Sequence, residues 1–142
     1  VAPPTGTECV KQLQGARLKA QGKRIVARFE DLDVWKRAAR LSADLYKAFS
    51  DLKDFGFKDQ ITRCGLSIPS NIAEGYERLS NKEKSNFINY AKGSAGELRT
   101  QIYIGMEVGY INSEKGKQWI KETEELSRML HSLIKSIQSR DS

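Results

Sequence analysis

Residues 31–54 read DLDVWKRAARLSADLYKAFSDLKD, and the spacing of their apolar side chains decides the fold. Apolar and small residues recur every three or four positions, which places them along one side of an α-helix and leaves the charged residues on the other side. This stripe consists of Trp35, Ala38, Leu41, Ser42, Leu45, Phe49 and Leu52. Asp31 or Asp33 suits the positive N-terminal end of a helix. We therefore predict an amphipathic helix from there to about Asp54.

A second helix is predicted from about Lys58 to Arg78, after a glycine stop and a short hydrophobic turn at residues 55–57. Pro69 lies in its middle, and proline removes one backbone hydrogen bond and crowds the carbonyl of Gly65 one turn earlier. We expect a kinked helix, and the alternative is two short helices broken at Pro69. The residues expected to face the core are Ile61, Cys64, Ile68, Ile72 and Ala73.

A third helix is predicted to begin at Ser80, because Ser80-Asn81-Lys82-Glu83 fits a capping box, and to run to about Gly109. Gly93, Ser94, Ala95 and Gly96 thin the helix at mid-length, which predicts the close approach of a neighbouring backbone. The expected inner stripe is Phe87, Tyr90, Ala91, Ser94, Ala95, Leu98, Ile102 and Met106.

A fourth helix is predicted from a cap at Ser113 to near Ser139. Its apolar stripe is Ile120, Thr123, Leu126, Leu130, Leu133, Ile134 and Ile137. Four helices joined by only a few residues must run antiparallel to their neighbours. The predicted fold class is therefore all-α, an antiparallel up-down-up-down four-helix bundle with a kinked second helix.

The chain divides into two parts of different charge. Residues 1–28 hold prolines, glycines and glutamines and carry +5 of the formal net charge of +6, whereas residues 29–142 are nearly neutral. We predict that residues 1–28 form a basic, disordered tail, either native or an upstream or added extension, and that residues 29–142 form the bundle domain. Any basic surface on the bundle must then be a local patch.

Composition also limits the location and chemistry of the protein. There is no secretory signal and no apolar stretch long enough for a membrane span, so we expect a cytoplasmic protein without a membrane partner. Cys9 and Cys64 form no CxxC pair, which favours reduced thiols over a disulfide or a metal site. The chain has no glycine-rich phosphate loop and no Glu-x-x-His pair, so no cofactor is expected.

The single histidine is His131, and its R-x2-H spacing from Arg128 differs from the R-x4-6-H pattern of helical ribonucleases. A solvent-facing or interface histidine is the favoured interpretation, and Cys64 is interpreted as a packed core thiol. No catalytic residue is assigned, and we predict that the protein is not an enzyme.

The segment from Arg63 to Arg78 contains the most unusual pattern, with Pro69, Asn71, Glu74 and Gly75 as its motif residues. Asn71 and Glu74 lie on one helical face and could bind a partner. The favoured interpretation is structural, in which they satisfy backbone groups freed by the proline. The candidate nucleic-acid contacts are Arg63, Arg78, Lys82, Lys84, Lys92 and Arg99. These residues could form a basic band or could be scattered, solvated charges.

Five aromatic residues are candidates for subunit interfaces, because aromatic side chains are enriched there. They are Trp35, Tyr46, Tyr76, Tyr103 and Trp119.

Three blocks of the sequence resemble a known family. They are SIPSNIAEG at 67–75, the residues Gly93-Ser94 with Glu97-Leu98 and Thr100, and Gly109-Tyr110-Ile111. The blocks look like the four-helix bundle proteins encoded by intervening sequences in bacterial 23S ribosomal RNA genes, long labelled a ribosomal-protein family. The resemblance spans about residues 29–137 and implies a homopentamer without established catalytic activity.

The sequence is also similar to the accessory variability protein of diversity-generating retroelements, a pentameric bundle that binds nucleic acid and partners a reverse transcriptase. Together these resemblances imply a homo-oligomer that binds ribosomal RNA or another nucleic acid, with a nucleic-acid-processing protein as a further partner. The alternative is a protein-interaction or structural assembly module that does not bind nucleic acid.

Overall fold

The computed structural model describes residues 28–140, in which four long α-helices follow a short 3-10 helix at Phe29–Asp31. The helices are α1 (Asp33–Ala48), α2 (Phe55–Tyr76), α3 (Asn81–Glu107) and α4 (Ser113–Ser139). Connections of four to six residues join them, each helix packs against the next, and α4 returns to α1. Residues 28–140 contain no strand. The predicted all-α antiparallel bundle is confirmed, whereas the predicted tail, apart from Arg28, lies outside the described residues.

The first helix ends six residues earlier than predicted. After Ala48 the chain turns, and the Asp54 carboxylate accepts a hydrogen bond from the Phe57 amide at 3.1 Å. Asp54 is therefore the N-cap of α2, and residues 55–57 form the first turn of that helix rather than a hydrophobic turn before it. The prediction of a helix to Asp54 was wrong because a capping residue was read as part of the preceding helix.

The core is built from one stripe on each helix, and most of the predicted members are buried in it. Others, such as Trp35 and Phe87, are half-buried, and Tyr90 is the one predicted member that is exposed, at 58%. Ser85 and Ile88 face the core in its place, because they continue the spacing set by Ala91 and Ala95. In the first half of α3, the predicted stripe therefore does not coincide with the buried side of the helix.

α2 is continuous through Pro69, so the alternative of two short helices is wrong. Pro69 is buried, and Gly65, one turn earlier, packs under the Leu45 side chain of α1. A Cβ atom at Gly65 would collide with that leucine. Gly65 therefore allows α1 and α2 to pack closely and also leaves room beside Pro69. The kink at Pro69 stays a prediction.

The ends of the last two helices follow capping rules. The Ser80 hydroxyl accepts a hydrogen bond from the Glu83 amide at 3.1 Å, which confirms the predicted cap of α3. The predicted cap at Ser113 is wrong, because the Asn112 side chain accepts from the Lys115 amide at 2.8 Å and Ser113 is the first helical residue. In the connection between α3 and α4, Gly109 has a φ of +85°, a conformation that favours glycine and ends α3.

A small polar and aromatic cluster joins the two connections at one end of the bundle. The Tyr110 hydroxyl donates to the Asp54 carboxylate at 2.8 Å, and the Tyr110 and Phe57 rings meet edge to face at 5.2 Å. The hydrogen bond from the Phe57 amide, and after it the one from Tyr110, lowers the pKa of Asp54, and the Asp54 carboxylate raises the pKa of Tyr110. The α1–α2 and α3–α4 connections are therefore attached to each other.

A second polar cluster connects the first and last helices. Arg37 on α1 forms ion pairs with Glu122 and Glu125 on α4, and its Nε donates to Glu122 at 3.1 Å. The hydrogen bonds that Arg37 donates to both carboxylates raise the pKa of Arg37, and Arg37 lowers the pKa of Glu125. These ion pairs connect α4 to α1. Of the neighbouring helix pairs in the described chain, α1 and α4 have the smallest packing contact.

Of the four small residues at 93–96, Ala95 is fully buried and the Ser94 carbonyl accepts a hydrogen bond from the Cys64 thiol of α2 at 3.3 Å. For Gly93 and Gly96 the predicted close approach is wrong within the described chain, because a Cβ at either position would meet nothing within 4 Å. Both glycines lie on the outer side of α3. Within residues 28–140 no helix is long and apolar enough to cross a membrane.

Candidate nucleic-acid interface

The motif residues of α2 serve the helix and its packing. The Asn71 amide donates to the Ser67 carbonyl at 2.8 Å, and Glu74 forms an ion pair with Arg78 one turn later. Both polar side chains are therefore bound to their own helix rather than directed together at a ligand. Gly75 lies against α3, where a Cβ would sit 3.1 Å from the Lys84 carbonyl oxygen. This contact lets the two helices approach closely beside their connection.

Most of the predicted basic residues already have partners. Arg63 pairs with Asp59 at 2.8 Å, which raises the pKa of Arg63. Lys92 contacts the Nδ1 atom of the exposed His131 on α4 at 3.2 Å. Arg99 is half-buried on α3. Arg63 lies on α2, thirteen residues before the helix ends at Tyr76, and Arg78 lies in the connection that follows, so about 20 Å of helix separates Arg63 from that connection.

Three of the six candidates lie together at the α2–α3 connection, and a fourth cation joins them. The Arg78 guanidinium stands 4.7 Å from the centre of the Phe87 ring. The Lys84 ammonium donates to the Tyr76 carbonyl at 3.1 Å and lies 5.7 Å from the Tyr76 ring centre. Lys82, two residues earlier, is exposed. The helices around this connection therefore place cations over aromatic faces, an arrangement with favourable electrostatics.

Arg140 follows α4, and its charge acts on Tyr76. Burial raises the pKa of the Tyr76 hydroxyl, and the positive charge of Arg140 opposes that shift. We call Arg78, Lys82, Lys84 and Arg140 the loop-end cluster. It lies beside the N-terminus of α3, where free amides and the helix dipole add positive potential.

The predicted interface aromatics fall into three kinds of environment. Tyr46 and Tyr103 are exposed, and Trp35 is half-buried against Phe29 at a ring distance of 5.3 Å. Tyr76 is half-buried beside the loop-end cluster. Trp119 is only 4% exposed and packs inside the bundle, 5.8 Å from Phe49. Its ring is a core element, so this candidate does not lie on a surface of the single chain.

The residues that could carry chemistry have ordinary structural contacts. Cys64 is buried, and its thiol donates to the Ser94 carbonyl at 3.3 Å. Burial raises the pKa of Cys64 to about 12, so the thiol stays protonated at neutral pH. Among residues 28–140, no three His, Cys, Asp or Glu side chains are grouped to hold a metal ion.

A model of the 23S rRNA-intervening sequence protein family matches residues 30–132, which is well over half of the chain. The chain belongs to this family. The match covers all of α1, α2 and α3 and most of α4, and it includes three members of the loop-end cluster. No curated protein matches the sequence.

A solved structure supports the family fold. It is the crystal structure of a protein of unknown function from the S23 ribosomal protein family of Bacteroides thetaiotaomicron. It superposes with a TM-score of 0.68 at 26% sequence identity, covering 72% of this chain and 98% of the other. The bundle is therefore shared with a protein from the S23 ribosomal protein family.

Two features near the loop-end cluster of this 23S rRNA-intervening sequence protein are not predicted from the sequence. Arg140 could not be placed near Tyr76 without knowing the length and direction of α4. The exposed Leu79, at 98% of its full accessibility, lies in the same connection as Arg78. The pairs of Arg63 with Asp59 and Arg78 with Glu74, in contrast, have a four-residue spacing that is visible in the sequence.

Proposed function

We propose that this member of the 23S rRNA-intervening sequence family is a non-catalytic nucleic-acid-binding protein that contacts phosphates through the loop-end cluster. The observation that supports the proposal is the placement of Arg78 over the Phe87 ring and of Lys84 over the Tyr76 ring, beside the N-terminus of α3, with Lys82 in the first turn of α3 and the charge of Arg140 acting on Tyr76. Cations and helix N-termini are the common phosphate contacts of nucleic-acid-binding proteins. Ribosomal RNA is the expected ligand class, and such a role would place the protein in the cytoplasm.

The local balance of charge limits the expected affinity. Glu74 neutralises Arg78, and the exposed Glu77 and Glu83 lie nearby in the chain. A phosphate must therefore compete with a carboxylate for one of the four cations. Four phosphate contacts would give a slope of about −3.6 for log affinity against log salt on duplex DNA, and about −2.8 on a single strand.

The test is fluorescence anisotropy with a ribosomal RNA hairpin across a salt series, using the full chain. One variant changes all four residues of the loop-end cluster to glutamine. The matched control changes four exposed cations of α4 to glutamine, namely Lys117, Lys121, Arg128 and Lys135. We expect the cluster variant to lose at least tenfold in affinity and most of its salt slope, and the control to change by no more than about threefold.

Two results would contradict this assignment. Equal losses in both variants would show that binding follows net charge rather than a site. Full binding by both variants would point to the basic residues 1–28, and it would leave the bundle without a role in nucleic-acid binding.

We also propose that the chain self-associates, because it exposes large apolar side chains on several helices. These side chains are Tyr46, Phe55, Leu66, Leu79, Tyr90, Tyr103, Ile104, Val108 and Tyr110. The expected assembly is a homo-oligomer, with five subunits by family resemblance, and a nucleic-acid-processing protein is a further proposed partner. Light scattering of the full chain tests the assembly, and a mass of one chain at micromolar concentration would contradict it.

A further inference from the structure

One exposed surface is the outer side of α3, which we call the α3 face: Tyr90, Gly93, Gly96 and Ile104. Tyr90 and Ile104 are more than half exposed, and a Cβ at either glycine would have nothing within 4 Å. A glycine inside a helix costs about 1 kcal/mol relative to alanine. Within the described chain nothing occupies the space that these two glycines leave open.

A second surface is a groove between α1 and α2, which we call the α1–α2 groove. It is an open cavity of about 300 Å³. Its lining is almost entirely apolar, and it contains Trp35, Ala39, Leu66, Pro69 and Ala73. Leu66 is 46% exposed although it is a large aliphatic side chain. Further along the same two helices, Tyr46 and Phe55 border another hollow.

The two surfaces belong to different sides of the molecule, so neither can cover the other within one chain. We infer that a second copy of this chain covers them, with the α3 face of one subunit packed into the α1–α2 groove of the next. This inference rests on the proposed self-association and names the surfaces that carry it.

The dimensions of α3 set the extent of the contact. The 27 residues of α3 span about 40 Å, and the outer side of one helix, about 10 Å wide, presents about 400 Å² along that length. This is about half of the area of about 800 Å² that each partner typically buries in a standard protein interface, so residues beside the α3 face must contribute the remainder. Gly93 and Gly96 lie at the middle of this outer side, where the missing side chains let the backbone of α3 approach the rim of the groove.

Charges beside the two surfaces are complementary. By helical spacing, Lys36 and Lys47 lie on the outer side of α1, next to the groove. Glu97 and Glu107 are exposed on the outer side of α3, beside the α3 face. Docking α3 against α1 of the next subunit brings opposite charges to the rim, whereas pairing two α3 faces brings the glutamates together. The heterologous arrangement is therefore the favoured one.

Because the two surfaces differ, each subunit keeps one free surface after a single contact. Such head-to-tail contacts produce a ring when the rotation between subunits closes, and a filament when it does not. Disrupting either surface alone should therefore stop assembly, and two differently disrupted chains should still pair once.

The test measures mass by light scattering for three full-length variants with the same added charge. Gly93→Arg blocks the α3 face, Leu66→Arg blocks the groove, and Ser132→Arg, on an exposed position of α4, is the control. We expect oligomers for the wild type and the control, and single chains of 16.0 kDa for each of the other two. An equimolar mixture of Gly93→Arg and Leu66→Arg should form a dimer, because each contributes its intact surface. Thermal unfolding followed by circular dichroism confirms that each variant is folded.

Each other outcome has a definite meaning. A monomeric wild type would overturn both the self-association and this inference. An oligomeric wild type whose assembly survives Leu66→Arg but not Gly93→Arg would show that α3 faces pair with each other, which overturns the inference alone. Loss of assembly in both variants without dimer formation in the mixture would also overturn the head-to-tail pairing.

Discussion

Replacing Gly75 by alanine should destabilise the bundle, although the same change at Gly93 should stabilise it. Alanine is favoured over glycine in a helix by about 1 kcal/mol at both positions. At Gly75 the new Cβ would lie 3.1 Å from the Lys84 carbonyl oxygen and 3.1 Å from the Phe87 Cβ, which belong to the rigid part of α3. Overpacking of this kind costs about 1–3 kcal/mol, so the net change is a loss of about 0–2 kcal/mol.

At Gly93 there is no such penalty, because a Cβ would have no neighbour within 4 Å. The full gain of about 1 kcal/mol is expected there, and the two variants should differ by about 1–3 kcal/mol. Urea denaturation followed by circular dichroism measures the free energies of unfolding. Both variants carry Leu66→Arg, so that assembly does not enter the comparison.

Equal stabilisation by both alanines would refute this reasoning. It would mean that α3 moves away from Gly75 without loss of packing, and that the close approach at this glycine is incidental. A change in the dependence of the free energy on urea would indicate a different unfolded or native state rather than a local contact.

Three further outcomes are expected. Ser80→Ala should lower the free energy of unfolding by about 1 kcal/mol in urea denaturation, because the cap of α3 is lost, and an unchanged value would contradict the capping role. Arg37 lowers the pKa of Glu125 in the folded state. The ion pair between them therefore contributes to stability above the pKa that Glu125 has in the unfolded chain, and this contribution is lost as the pH falls through the pKa that Glu125 has in the folded protein. Melting temperatures between pH 7 and pH 3 should therefore fall less steeply in Arg37→Met, and parallel curves would contradict this. In a Cys9→Ser background, Cys64 should react with a thiol reagent at pH 8 about a thousandfold more slowly than an exposed cysteine, since its pKa is about 12, and denaturant should restore the rate.

The fold was predictable because each helix of the bundle carries a continuous apolar stripe. The 3.6-residue period located all four helices, and their short connections required antiparallel neighbours. The boundary between α1 and α2 was not predictable in the same way. Asp54 and Gly56 are compatible with the end of one helix or the start of the next, and the hydrogen bond from the Phe57 amide decides between them.

The register of α3 was only partly predictable. Ile88 continues the spacing of Ala91 and Ala95, whereas Tyr90 continues that of Phe87 and Ser94, and amphipathicity alone does not choose between the two series. Packing against α2 and α4 selects Ile88, because its position faces both neighbours and Tyr90 does not.

The candidate site was the least predictable part. Helical spacing places Arg78, Lys82 and Lys84 near one connection, but it cannot bring the charge of Arg140 towards Tyr76, because the two residues are 64 positions apart. Whether an aromatic side chain is exposed or buried was equally hard to predict, since Trp119, a candidate for an interface, is buried in the core. Such contacts depend on how four helices are arranged in space rather than on any one of them.

The hydrogen bond between Tyr110 and Asp54 makes the two ends of the bundle unlike. At that end, two connections are fastened together by a phenol, a carboxylate and the Phe57 ring. At the opposite end, Leu79 stands almost fully in solvent within a four-residue connection. A peptide tag or a second domain inserted beside Leu79 should therefore leave the bundle intact, whereas the same insertion at Tyr110 would separate two loops at once. The molecule thus has one end suited to accepting new sequence and one that resists it.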